Sequence, residues 1–303
     1  MRQSKKFQGI FALPVIPFLD DGTIDKNSLI NELEFCIKAN VHGLAIPLES
    51  GEFYSLSEEE RLDIAELTVK IVNKRVPVII GVSSTSTTIS LKYAKHAQNI
   101  GADGIISVPL YMVPDNFQGV LKHFRELAES VDLPIIYQNL SLPGGSTLSS
   151  EAILELCGEI ENIKYVKEEA NPPGHKISYL VKNGKEHIIG VFAGQGGKGI
   201  IEYLDRGASG VMPACHVCDV LVKIYESYNK GECEKARKIY NDLLPLLILD
   251  EDYLWLHNAK TILVKRGIIR TATLRAPRGI TLDDINVKEL EKAMDMLTPW
   301  FSV

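Results

Sequence analysis

Val76-Pro77-Val78-Ile79-Ile80-Gly81-Val82 carries no charge and does not alternate. A strand with one face in water alternates apolar and polar residues. One that is apolar throughout belongs to a parallel sheet covered on both faces. Parallel neighbours require crossovers, usually helices. Upstream, Ser57-Glu58-Glu59-Glu60 is a capping box, with the acid three residues after the cap. It opens a helix whose apolar face runs through Ile64, Leu67 and Ile71. Downstream, a helix is predicted over 87–99 and a strand over 104–109.

The same unit repeats outward in both directions. Further strands are predicted at 10–18, 43–47, 133–137, 163–167, 187–193 and 207–213. Asp20-Asp21-Gly22 makes a turn after the first, and Asp25 caps a helix carrying Leu29, Ile30, Leu33 and Ile37. Helices are predicted at 117–130, 149–157, 174–182, 198–205 and 217–228. About eight βα units of this length fit an α/β fold of the closed (β/α)8 TIM barrel type. An open doubly wound sheet is the alternative. No G-x-G-x-x-G follows the first strand, so its dinucleotide-binding version has no support. Beyond residue 230 the strands cease, and helices are predicted at 232–249, 253–265 and 286–300. The expected organisation is a barrel over 1–230 and a C-terminal three-helix extension over 231–303.

Composition narrows the function classes. The 303 residues carry a net charge of −6 and no basic stripe, which argues against nucleic acid as a partner. No apolar run reaches the roughly 18 residues of a membrane span. Met1-Arg2-Gln3-Ser4-Lys5-Lys6 is basic, but no long apolar core follows, and Pro14 and Pro17 interrupt the next segment, unlike a signal peptide. Five cysteines, an odd number, suggest reduced thiols in the cytoplasm.

In a barrel, chemistry is expected at the C-terminal strand ends. The sixth strand ends Lys164-Tyr165-Val166-Lys167-Glu168-Glu169, with Tyr165 and Lys167 on one face because strand side chains alternate. A lysine at the end of a buried strand either marks where the strand meets water or is held neutral as a nucleophile. Other strand ends carry Glu49-Ser50-Gly51-Glu52, Tyr111, Tyr137-Gln138-Asn139 and Gly194-Gln195-Gly196-Gly197. One amine and two phenols at one mouth suit imine chemistry, with backbone N–H groups to hold a carboxylate. The glycine-rich Gly194-Gln195-Gly196-Gly197-Lys198 stretch either cradles a phosphate or is a tight turn lining the pocket. Cys215-His216-Val217-Cys218 has metal-like spacing but no second pair. Glu251-Asp252 reads as a solvated cap. Glu52 is either catalytic or a structural support of its turn.

The order and spacing of Phe11-Ala12-Leu13-Pro14-Val15-Ile16-Pro17-Phe18, Ser50-Gly51-Glu52, Pro109-Leu110-Tyr111, Ile136-Tyr137 and Val166-Lys167-Glu168 resemble the dihydrodipicolinate synthase and N-acetylneuraminate lyase family. That resemblance implies a class I lyase on a pyruvate-type 2-oxo acid, with no cofactor and no metal. Lys167 would form the imine, and Tyr137 would be the acid/base beside it, its pKa lowered by the lysine. Ser50 and the N–H groups of Ser50 and Gly51 would bind the substrate carboxylate, with Gly194 and Gln195 lining the site. Tyr111 would reach a neighbouring subunit in a homotetramer. Two departures bear on the substrate. Glu49 replaces a usual hydroxyl residue, and Leu142 stands where the synthase branch has an arginine. With Glu168 and Glu169, these suggest aldol cleavage or dehydration of a 2-keto-3-deoxy sugar acid. Condensation of pyruvate with aspartate semialdehyde is the second reading. A non-catalytic 2-oxo acid sensor, of another class, would need neither Lys167 nor Tyr137.

Overall fold

The structure, a computed structural model, describes residues 6–111, 116–141, 145–250, 254–277 and 279–303. Eight strands close into a barrel in chain order: β1 Gly9–Ala12, β2 Gly43–Ile46, β3 Val78–Gly81, β4 Gly104–Ser107, β5 Ile135–Asn139, β6 Ile163–Glu168, β7 Gly190–Ala193 and β8 Gly210–Val211. Every neighbouring pair is parallel, β8 with β1 included. The intervening helices are α1 Lys26–Lys38, α2 Glu58–Val72, α3 Thr87–Asn99, α4 Phe117–Ser130, α5 Ser150–Glu159, α6 Pro173–Asn183, α7 Ile200–Asp205 and α8 Cys218–Asn229. The chain is thus a TIM barrel, and the open sheet is excluded.

Local signals explain most boundaries. Ser57 caps α2 by accepting from the Glu60 N–H, while the Glu60 carboxylate accepts from the Ser57 N–H. Asp25 caps α1 by accepting from the N–H groups of Asn27 and Ser28. Several strands are shorter than expected, β1 and β8 most of all. β1 stops at Ala12, because Pro14 and Pro17 lack the N–H a ladder needs. Beyond it Leu13 and Phe18 make only isolated bridges, to Ala214 and Ile24. β8 starts late, because Gly207 and Ala208 donate their N–H groups back to Leu204 and Tyr203 at the end of α7.

Two apolar layers sit on the two faces of the barrel wall. Phe11, Ala45, Ile79, Ile106, Ile136, Tyr165, Phe192 and Met212 form the inner cluster. Their chain neighbours, such as Ile10, Leu44, Ile80, Ile135 and Val166, join the helices in the outer one. Phe7 belongs to the inner cluster, and its N–H donates to the Tyr165 hydroxyl at 3.0 Å. The interior is therefore filled below the sixth strand's lysine.

The C-terminal helices are α9 Cys233–Leu249, α10 Trp255–Lys265 and α11 Asp284–Leu297. Their residues Leu243, Leu256 and Leu290 join the same outer cluster as the barrel helices. Two buried ion pairs tie α10 and its end to the barrel. Lys260 meets Glu52 with both side chains fully buried, and Arg266 clasps both Asp219 carboxylate oxygens at 3.0 and 2.7 Å.

Candidate active site

Lys167 follows Tyr165 on the inner face of β6 and is only 3% exposed. A buried ammonium is costly unless paired and hydrogen-bonded. Here Nζ lies 3.1 Å from Glu169 Oε2. That carboxylate is itself held from two other strands. Gln138, at the end of β5, donates Nε2–H to Oε2 at 2.6 Å, and the Gln195 N–H after β7 donates to Oε1 at 3.2 Å. Gln195 Nε2 donates to the Glu169 backbone oxygen at 3.1 Å, which fixes where the acid leaves β6. Gly194 permits this approach, since a Cβ there would stand 1.8 Å from Glu169 Oε1. Gly194 and Gln195 thus form the tight turn beside the lysine.

Tyr137 is not brought to Lys167. The β5–β6 pairing carries an irregularity after Ile135, and from there Tyr137 faces Val166 while Gln138 faces Lys167. Ile136 and Gln138 point inward, and Tyr137 points outward into the helix layer, its ring 5.2 Å from Phe124. Burial, with Glu168 and Cys157 close by, pushes the phenol well above its ordinary value, the reverse of the expected lowering. Glu168 likewise faces outward. It accepts from Asn139 Nδ2 at 3.0 and 2.9 Å and from the Ala170 N–H at 2.8 Å. Burial raises its carboxyl to about 7.

A cavity of about 490 Å³ opens above Lys167 and is lined by Gln138, Glu169, Gln195, Glu49 and Ser50. Ser50, 3% exposed, has an Oγ with no hydrogen-bond partner among the described residues. Gly51 does not line the cavity, and its N–H is already donated to the Leu48 oxygen at 3.0 Å within the short turn Glu49–Gly51. Of the expected carboxylate anchor, Ser50 is the part that faces the site. Glu52, in the left-handed region at φ 47°, turns away and bonds Lys260 and the Arg275 N–H. Of its two readings, the supporting one fits this geometry. Tyr111 also lies off the cavity lining, 5.8 Å from the Phe53 ring. Leu142 lies outside the described residues, as do Glu251 and Asp252.

The far wall holds residues the sequence did not single out for the site. His216 Nε2 lies 3.0 Å from Asp250 Oδ2, and both line the cavity beside Leu247 and Trp255. His216 had drawn notice only for metal-like spacing. Its neighbour Cys215 donates Sγ–H to Glu32 Oε1 at 2.8 Å, away from His216's pair. Burial pushes the Glu32 carboxyl well up. Among the described residues no group of three or more His, Cys, Asp or Glu is placed to hold a metal ion. The signal for Asp250 was weak, because its partner sits far away in sequence and on a different element. For Gln138 the signal was its polarity, at the end of an otherwise apolar strand.

The sequence matches the dihydrodipicolinate synthetase family over residues 6–296. Among curated relatives, the 4-hydroxy-tetrahydrodipicolinate synthase of Methanococcoides burtonii is 30% identical over 243 residues, covering 80% of this chain and 82% of that one. The enzyme of the same name from Bartonella quintana is 32% identical over 250 residues, covering 79% and 81%. Among solved structures, a prophage protein of the dihydrodipicolinic acid synthase family from E. coli K12, solved with pyruvate, is 26% identical with a TM-score of 0.88, covering 96% of this chain and 98% of that one.

Proposed function

Because the chain belongs to the dihydrodipicolinate synthetase family, whose members are class I Schiff-base lyases, we propose that Lys167 forms the imine, with C2 of a pyruvate-type 2-oxo acid. The observation that carries this is a lysine on the inner face of a barrel strand, 3% exposed, at the floor of the cavity. A protonated imine draws electrons from C3, so a C3–C4 bond can break, or a C3 proton can leave and the resulting enamine can expel the C4 hydroxyl as water. Ser50 Oγ, without a partner among the described residues and lining the same cavity, anchors the substrate carboxylate and orients the ketone toward the amine.

The preferred substrate is a 2-keto-3-deoxy sugar acid, cleaved to pyruvate or dehydrated. Amides and carboxylates of Gln138, Gln195, Glu49, Glu169 and Asp250 supply hydrogen bonds for hydroxyl groups along the cavity. The second reading, condensation of pyruvate with aspartate semialdehyde, is favoured by the name the curated relatives carry. The active form is proposed to be a cytoplasmic homotetramer, with Tyr111 at a neighbouring subunit. Light scattering of the purified protein would give four chain masses, and a monomeric active species would refute it.

Reduction with borohydride in the presence of pyruvate tests the imine. A mass increase on the Lys167 peptide is expected, and an unmodified Lys167 refutes the nucleophile. A panel of 2-keto-3-deoxy acids, followed by pyruvate release or loss of water, tests the substrate. Robust turnover of pyruvate with aspartate semialdehyde, and none on the panel, would favour the second reading.

A further inference from the structure

Among the described residues no phenol lies at hydrogen-bond distance from Lys167, yet imine formation and C–C cleavage both need a group that gives and takes protons. We propose that Glu169 is that acid/base, in the place where a tyrosine was expected. The inference rests on Lys167 being the imine-forming residue.

Three observations support the assignment. Glu169 Oε2 lies 3.1 Å from Lys167 Nζ, within direct proton-transfer reach of the reacting nitrogen. Gln138, the inward residue at the same level of β5, has no titratable proton, and it donates to that same oxygen at 2.6 Å. The opposite oxygen is aimed by the Gln195 N–H, and Gln195 sits at φ 52°, a left-handed conformation that costs a non-glycine residue energy. A carboxylate held from three consecutive strands is oriented as a catalytic group must be. Tyr137, the expected phenol, is fully buried on the opposite face.

The proton balance closes around this one carboxylate. Glu169 takes a proton from the Lys167 ammonium, leaving a neutral amine that attacks C2. The nitrogen's extra proton passes to the new alkoxide, giving the carbinolamine. Glu169 then returns its proton to the leaving hydroxyl, and water departs from the protonated imine. As a carboxylate again, Glu169 accepts the C4 hydroxyl proton while the C3–C4 electron pair moves into the imine. An aldehyde and an enamine result. Glu169 next protonates C3, and hydrolysis of the imine frees pyruvate and the lysine.

The test is exchange of the pyruvate methyl protons with deuterium oxide, read by NMR, beside borohydride trapping on Lys167. Exchange requires a base at C3 after the imine has formed. In Glu169→Gln, trapping is expected to reach completion, slowly at neutral pH and readily at pH 9–10. Exchange should fall by about 10²–10⁴-fold. Tyr137→Phe should exchange at the wild-type rate. Wild-type exchange in Glu169→Gln, or a hundredfold loss in Tyr137→Phe, overturns the assignment. So does a folded Glu169→Gln, by circular dichroism, that traps nothing even at high pH, because Glu169 would then only position the lysine. If the wild type itself is not trapped on Lys167, the imine reading fails instead, and that failure is read separately.

Discussion

Lys167 and Glu168 are adjacent on β6 and face opposite ways, so the same strand end holds two acid–base problems with different solutions. Lys167 is paired inside the barrel. Its replacement by alanine is expected to abolish turnover, and circular dichroism should show the barrel intact. A substantial residual rate would refute its role. Glu168 is buried in the wall, where burial lifts its carboxyl from 4.5 to about 7. The unfolded chain ionises Glu168 near its ordinary value, while the folded chain keeps the proton until about 7. Its contribution is therefore fully present below about pH 4.5 and is lost as pH rises through 7, by roughly 3 kcal/mol at most. In Glu168→Gln the fall in melting temperature between pH 5 and 8 should flatten relative to wild type. An unchanged slope would mean that Glu168 does not carry the proton. His123 acts in the opposite sense. Burial lowers its pKa to about 4, so it opposes stability as pH falls from its unfolded value toward 4.

At the scale of elements, what matters is how the loops above the barrel are held. The turn after β2 carries Ser50 toward the cavity and Glu52 away from it, and Glu52 is locked to Lys260 of α10. Lys260 also donates to the Thr273 oxygen at 2.8 Å and lies over the Phe18 ring, 4.5 Å from its centroid. Removing one member of a fully buried pair leaves an uncompensated charge. Lys260→Ala should cost about 3–5 kcal/mol. The double replacement Glu52→Gln with Lys260→Met should recover part of that loss, which chemical denaturation of the three proteins would show. If the double variant were no better than the single, the ion pair would not be the source of the cost. By contrast, Ser57→Ala removes one half of the α2 capping box on the surface and should cost only about 1 kcal/mol.

At the scale of the molecule, the C-terminal helices line the candidate site's cavity as well as covering the barrel. Leu247 and Trp255, from α9 and α10, line the same cavity as Lys167, together with Asp250, the residue that follows α9. Trp255→Ala should raise KM for long-chain substrates and leave pyruvate trapping on Lys167 unchanged. Steady-state kinetics on acids of two chain lengths would show it, and equal effects on both would argue against a distal-chain contact.

The barrel was legible in the sequence because a parallel sheet covered on both faces writes uninterrupted apolar strands, and Val76–Val82 announces one. Capping residues located α1 and α2 for the same local reason. The strand ends were less legible, since β1 and β8 are cut short by prolines and by a turn that consumes backbone N–H groups. The inner and outer faces of β5 were not legible. Ile135, Ile136 and Tyr137 are all apolar enough for either side, so alternation cannot be read, and the irregular pairing with β6 sets the phase. The sequence by itself therefore determined the barrel, the family and the lysine at the end of its sixth strand. Only the tertiary structure decided that Gln138 and Glu169, rather than Tyr137, meet that lysine, because register between strands is a long-range property that neither residue encodes locally.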